Sequence, residues 1–130
     1  RRGGKGDIPK TTRLWRKERQ PQSIGSPVAV DGYVSRPNAG PGTIDCIDPA
    51  TGEVEWTSRE GGSQWASIVH VGDLLYATNQ DGRTVIFKPN PKEFELVAKN
   101  SLRDHCNATP AVADGQLFIR TDRSLWCIGE

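Results

Sequence analysis

Few residues of this chain have the chemistry of a catalytic or metal site. The three cysteines, Cys46, Cys106 and Cys127, include no Cys-x-x-Cys pair, which argues against zinc and thioredoxin-like sites. His70 lies in a predicted strand without a partner at metal-ligand spacing, so we expect it to be packed or exposed. His105 and Cys106 are adjacent, but they need a third orienting group to act as base and nucleophile, and neighbours in a loop usually point apart. Buried structural thiols are the expectation for the cysteines.

The first twenty residues are basic, with a net charge of +6 against −5 for the other 110. Such a segment can bind nucleic acid, but aromatic residues beyond Trp15 are scarce in it, so we expect no nucleic-acid partner. The glycine-rich start has neither Walker nor dinucleotide-binding spacing and is expected to be a flexible loop. No apolar run is long enough for a transmembrane helix.

The composition favours a turn-rich, all-β chain. Its 130 residues include 14 Gly and 9 Pro, with 35% hydrophobic and 25% charged residues, an ordinary soluble balance. The chain begins with Arg1 and contains no Met. It is therefore expected to be a piece of a longer protein.

The sequence repeats with a period of about 41 residues. Ser26-Pro27-Val28-Ala29-Val30-Asp31-Gly32 recurs as Thr109-Pro110-Ala111-Val112-Ala113-Asp114-Gly115, with a looser copy from Ser67 to Asp73 between them. Trp15 and Trp56 are also 41 residues apart. Alternating hydrophobic residues and Asp-Gly or Thr-Gly turns divide each unit into short antiparallel strands.

Four strands in about 40 residues is the pattern of a β-propeller blade. The sequence predicts one all-β domain over residues 1–130, a propeller segment of about three four-stranded blades whose ring is incomplete. Residues 1–20 are a loop and an orphan outer strand (12–16), 21–60 and 61–100 are blades, and 101–130 is a blade without its outer strand. The predicted strands are 27–30, 33–36, 43–48, 53–58, 65–71, 74–79, 83–88, 93–98, 109–113, 116–121 and 124–128.

The segment Cys46-Ile47-Asp48-Pro49-Ala50-Thr51-Gly52-Glu53-Val54-Glu55-Trp56 resembles the tryptophan-docking motif of pyrroloquinoline-quinone (PQQ)-type repeats, with Cys46 in place of the usual Ala. The chain thus resembles the C-terminal blades of a PQQ-like, or quinoprotein alcohol dehydrogenase-like, propeller, including planctomycete-type bacterial members. The resemblance implies that Asp48, Thr51, Gly52, Trp56 and Trp15 dock one blade on the next. The second unit lacks Thr-Gly and is expected to place Phe94 or Leu96 where Trp56 stands, which would make its interface less regular.

The resemblance implies two functions. One is a non-catalytic scaffold that binds proteins through loops or blade edges, as in the lipoprotein that assembles outer-membrane barrels. The alternative is part of a PQQ-dependent alcohol or sugar dehydrogenase, whose whole chain would bind PQQ and Ca²⁺; the vicinal cysteine pair usual there is absent here. Cofactor-binding, metal and catalytic residues are therefore expected to be absent from this segment, and the location to be periplasmic or extracellular. The partners of the blade ends would be further blades or a second copy joined head to tail.

Overall fold

The computed structural model describes residues 5–6, 10, 12–18 and 20–129, and within them it forms three antiparallel sheets. The predicted glycine-rich loop and the last residue fall partly or wholly outside the described residues. Blade 1 contains four strands, β1 (Val28–Val30), β2 (Tyr33–Pro37), β3 (Ile44–Ile47) and β4 (Val54–Ser58). Blade 2 contains β5 (Val69–Val71), β6 (Leu74–Thr78), β7 (Arg83–Lys88) and β8 (Glu95–Ser101). Blade 3 contains β9 (Ala111–Ala113), β10 (Gln116–Arg120) and β11 (Leu125–Ile128).

Within each blade every strand pairs with the next one along the chain, so each blade is a simple meander. In blades 1 and 3, the turn between the first two strands explains why these strands pair. Asp31 and Gly32 have φ values of 51° and 81°, and Asp114 and Gly115 have 50° and 74°. Two successive residues with positive φ form the turn that matches the twist of a two-residue hairpin.

Blades 1 and 2 pack face to face around an apolar core. Its buried members are mostly from blade 2, and Ile44 comes from blade 1; they are Ile44, Ile68, Leu75, Ala77, Val85 and Phe87. Trp56 in β4 and Phe94, which precedes β8, pack against this cluster. The core therefore lies between blades, as expected for repeats that cannot bury an apolar face alone.

A β-bulge recurs at the same place in blades 1 and 2. The register shifts between Cys46 and Ile47 in the β3–β4 ladder, and between Ile86 and Phe87 in the β7–β8 ladder. Each outer strand therefore has one extra residue opposite its neighbour. The bulge fixes which residues of β4 and β8 face the following blade.

The amino-terminal segment differs from its prediction. The sequence predicts a strand over residues 12–16, but the structure assigns no strand to residues 12–18. A strand is defined by main-chain pairing, and no described strand lies beside this segment as a ladder partner. The segment instead contacts blade 1 through the side chain of Trp15.

Candidate functional site

The turn after β3 is organised by its own side chains. The Asp48 carboxylate accepts a hydrogen bond from the Ala50 N–H at 2.7 Å, and the Asp48 carbonyl accepts one from the Gly52 N–H at 2.7 Å. The Thr51 hydroxyl accepts a bond from the Glu53 N–H at 3.2 Å. These bonds form an Asx turn followed by a Ser/Thr turn, which directs the chain into β4.

Trp15 lies over this turn. Its indole Nε1 donates a hydrogen bond to the Pro49 carbonyl at 2.7 Å. A Cβ atom on Gly52 would lie 2.7 Å from two atoms of the Trp15 ring, so only glycine allows the ring to approach this closely. The indole thus covers the Asp48–Gly52 turn while 39% of the residue stays exposed.

Trp56 makes the same contact with the next blade. Its Nε1 donates to the Asn90 carbonyl at 2.7 Å, across the same 34 residues of chain that separate Trp15 from Pro49. Its ring meets Phe94 edge to face, with ring centroids 5.5 Å apart. The Phe94 ring in turn contacts the Phe87 ring, with centroids 4.9 Å apart. The turn of blade 2 lacks Thr-Gly, but Asn90 accepts a bond from the Lys92 N–H at 2.9 Å and shapes it.

The prediction that Phe94 or Leu96 replaces the tryptophan in blade 2 is wrong. Trp56 stands opposite Cys46 in the β3–β4 ladder, and the residue at that position of the β7–β8 ladder is Ala98, opposite Ile86. The connection from β7 to β8 is two residues longer than the connection from β3 to β4, because Ala98 lies eleven residues after Phe87 and Trp56 lies nine residues after Ile47. Phe94 belongs instead to the surface that receives Trp56.

A buried ion pair, which the sequence analysis missed, lies on the opposite face of blade 1. The Arg36 guanidinium donates to the Asp45 carboxylate at 2.6 Å, and the exposed fractions of the two side chains are 15% and 6%. Asn38 Nδ2 and the Thr57 hydroxyl donate to the same carboxylate at 2.9 and 2.8 Å. Arg36 also donates to Gln20 at 2.9 Å. Because Arg36 and Asp45 are direct ladder partners, the single Arg of β2 and the single Asp of β3 are the signal that could have found the pair.

The thiols and imidazoles do not form a catalytic arrangement. Burial, and then the charge of Glu55, raises the pKa of Cys46 to about 11. Burial also raises the pKa of Cys106, whose thiol donates to the Arg120 carbonyl at 3.2 Å. His105 faces Asp122 instead, with Nδ1 3.3 Å from the carboxylate. Both buried thiols are therefore protonated at neutral pH and are poor nucleophiles.

Within the described ranges, no cluster of three or more His, Cys, Asp or Glu residues could hold a metal ion. In the same part of the chain, no helix has the length and apolar character needed to cross a membrane. His70 lies exposed in β5.

The inner strands are linked by a repeated hydrogen bond. The Ser26 N–H donates to the Ser67 hydroxyl at 2.9 Å, and the Ser67 N–H donates to the Thr109 hydroxyl at 2.9 Å. The three residues occupy the same position before β1, β5 and β9. Each hydroxyl thus joins its own blade to the preceding one.

Blade 3 presents an open outer edge. β3 is covered by β4 and β7 by β8, but β11 pairs only with β10 among the described strands. All four residues of β11 are exposed, and the exposed fractions of Leu125 and Ile128 are 69% and 44%. An apolar strand with free main-chain groups is a template for a further strand.

Comparisons with known proteins support the architecture. No protein-family model matches the sequence, and no curated protein matches it. The chain is similar to quinohemoprotein alcohol dehydrogenase ADHIIG from Pseudomonas putida HK5, with 14% identity over 77% of this chain and 17% of that chain, at a TM-score of 0.62. It is also similar to quinohemoprotein alcohol dehydrogenase from Comamonas testosteroni, with 18% identity over 76% of this chain and 17% of that chain, at a TM-score of 0.61. The β-propeller domain of Myceliophteria thermophila Cps50 (Swd1) is 15% identical over 80% of this chain and 41% of that chain, at a TM-score of 0.56.

The three sheets are β-propeller blades. At these identities the similarity shows the fold, and it confirms the predicted all-β propeller segment. The chain spans 17% of the length of each of the two dehydrogenases. Closed propellers have at least four blades, so the three described blades do not make a ring.

Proposed function

We propose that this chain is a non-catalytic, PQQ-like propeller segment that binds proteins as an assembly scaffold, along the outer edge of blade 3. The observation that carries the proposal is the exposed outer edge of β11, which has no partner among the described strands, beside two blades whose corresponding strands are covered. Extended segments add to such an edge through main-chain hydrogen bonds, and side-chain pockets then select among them.

The amino-terminal segment indicates which kind of strand fits. Residues 13–17 contact blade 1 through Trp15 in the way that β4 contacts blade 2 through Trp56. A segment of this sequence is therefore suited to be the outer strand of a blade that precedes blade 1. We propose that Asp48, Thr51, Gly52, Trp56 and Trp15 are the docking residues, and that the partner strand comes from further blades of a longer protein or from a second copy.

A PQQ-dependent dehydrogenase is the other function implied by the resemblance. Its cofactor site needs carboxylate and amide oxygens that remain available to Ca²⁺. The buried carboxylate of this segment, Asp45, is already bonded to Arg36, Asn38 and Thr57. The described residues therefore do not fit a Ca²⁺–PQQ site by themselves, and no chemical step is assigned to them.

The strand-binding function can be tested with a synthetic peptide of residues 10–20 carrying a fluorophore. We expect saturable binding to the chain, seen as a rise in fluorescence anisotropy, because the peptide supplies an outer strand to β11. A control peptide with L14P and R16P has fewer main-chain donors and should not bind. Equal binding of the two peptides, or binding of neither, would contradict the proposal.

Two further expectations belong to this proposal. The periplasmic or extracellular location, in a bacterial envelope, remains a prediction from the resemblance. The absence of a nucleic-acid partner remains a prediction from the charge and aromatic pattern. Both are properties of the whole protein in which the segment acts.

A further inference from the structure

The interface between blades 2 and 3 contains a cavity of about 470 Å³. Blade 2 contributes Val71, Tyr76, Ile86 and Asn100 to its lining, and blade 3 contributes Leu117 and Ile128. No charged residue is among its lining residues. Cavities that hold small organic ligands span roughly 300–1,000 Å³ and are mostly apolar with a few polar groups.

The same interface occurs twice in this chain, which allows a direct comparison. Between blades 1 and 2, Ile44 and Trp56 face the cluster that includes Leu75 and Phe87. The ladders place Thr84 where Ile44 stands and Ala98 where Trp56 stands. Blade 2 therefore presents smaller side chains to blade 3 at both positions.

Blade 3 adds to the free space. Ile128 is opposite Leu117 in the β10–β11 ladder, as Phe87 is opposite Leu75 in the β6–β7 ladder. An aliphatic side chain thus stands where blade 2 has an aromatic ring. The cavity is bounded by Ile86, which is opposite Ala98, and by Ile128. In the first interface the position of Ala98 is occupied by Trp56, whose indole packs against the apolar core.

We propose that this cavity is a binding site for an uncharged, flat aromatic molecule of two or three fused rings. The lining provides no charge to pair with an ionic ligand, and burying an unpaired charge there is costly. The cavity lies between two sheets, and its lining residue Ile86 is opposite Ala98, which stands at the position of Trp56. Asn100, Gln116 and Tyr76 are polar residues of the lining, and in this proposal they orient a polar ring substituent. The cavity shares Ile128 with β11, the proposed strand-binding edge, and its other lining residues lie outside that strand.

The test uses 5-fluoroindole as the probe and the full 130-residue chain. Wild-type protein should bind one equivalent saturably, seen by ¹⁹F NMR and by calorimetry. The variant A98W should weaken binding by about tenfold or more, because its indole enters the adjoining space. The matched control V97W adds the same side chain at the neighbouring position, which is 49% exposed, and should bind as wild type does.

A measurement on the wild type keeps the test independent of how A98W folds. Intermolecular nuclear Overhauser effects should connect the probe to the methyl groups of Ile86, Leu117 and Ile128. Effects confined to other residues would overturn the proposal. So would absence of binding up to the solubility limit of the probe, or unchanged binding by a folded A98W.

Discussion

Gly52 is required at its position for two separable reasons. Its φ is +76°, a region that side-chain-bearing residues rarely adopt, and the Trp15 ring occupies the space of a Cβ atom. Gly32 has the first constraint without the second, because its φ is +81° and a Cβ atom at that position would have no neighbour within 4 Å. The chain thus contains an internal control for the contact of Trp15 with blade 1.

We expect G52A to lower the free energy of unfolding more than G32A does. The positive φ costs each variant about 1–2 kcal/mol, and only G52A must also displace an indole ring. In a W15A background the two variants should become similar, since the ring is gone. Urea denaturation of G52A and G32A, each with and without W15A, measures these free energies of unfolding. An equal loss of stability in G52A and G32A would contradict docking by Trp15.

The buried ion pair of blade 1 also has an internal comparison. Arg36 and Asp45 are ladder partners, and the same positions of blade 2 hold Ala77 and Val85. Removing one partner of a buried pair leaves an uncompensated charge and costs roughly 3–5 kcal/mol, whereas replacing both with apolar residues is often neutral.

We therefore expect D45A to destabilise the chain by about 3–5 kcal/mol and the double variant R36A/D45V to recover most of that loss. Thermal unfolding followed by circular dichroism measures both. The control K99A removes an ion pair with Glu60 whose side chains are 40% and 43% exposed, and should cost about 1 kcal/mol or less. A double variant as unstable as D45A would show that Asn38 and Thr57, rather than the pair itself, need the carboxylate.

At the scale of elements, periodicity predicted the strands well and the links between blades poorly. The predicted strand 83–88 matches β7, and Asp-Gly turns join strands where expected. The strand predicted from residue 65 begins only at Val69. The preceding Ser67 bonds outside its own blade, because its N–H donates to Thr109 and its hydroxyl accepts from the Ser26 N–H. Such bonds depend on a neighbouring repeat and leave no local periodicity.

A local motif led to the prediction of the docking residues. The structure places Trp15 beside Gly52 and bonds Trp56 to the Asn90 carbonyl, and a docking role for these residues stays a prediction. The equivalent of Trp56 in blade 2 was missed because the connection from β7 to β8 is two residues longer than the connection from β3 to β4, which moves Ala98 away from the expected position. The cavity beside it results from two facing blades, and no single segment encodes it.

The inner hydroxyl chain predicts a local change in amide exchange. S67A removes the acceptor of the Ser26 N–H, so the Ser26 amide should exchange faster while the Ser67 amide stays protected. T109A should have the reverse effect, exposing the Ser67 amide and sparing Ser26. T109S keeps the hydroxyl and should behave as wild type in hydrogen–deuterium exchange. Uniform changes at both amides would indicate general destabilisation and not a chain of individual contacts.

At the scale of the whole molecule, the two ends of the described blades are complementary. Blade 1 is contacted by a segment that lacks ladder partners among the described strands, and blade 3 ends in a strand without an outer neighbour. The β3–β4 ladder predicts how they would pair. Ile44 is opposite Ser58, and the matching residues are Leu125 in β11 and Lys17 in the segment. A second copy joined head to tail would thus place Lys17 beside Leu125.

This register can be trapped by a disulfide between copies. In a C127S background, K17C together with L125C should give a covalent dimer on mild oxidation, because directly opposed residues bring Cβ atoms to about 4.5–5.5 Å, close to disulfide reach. Non-reducing electrophoresis and light scattering measure the product. The control R16C/L125C shifts the register by one residue, which turns the thiol to the other face of the strand, and should cross-link far less. Equal cross-linking of both variants, or monomers in both, would refute the head-to-tail pairing while leaving the binding of other strands to β11 for the peptide titration to decide.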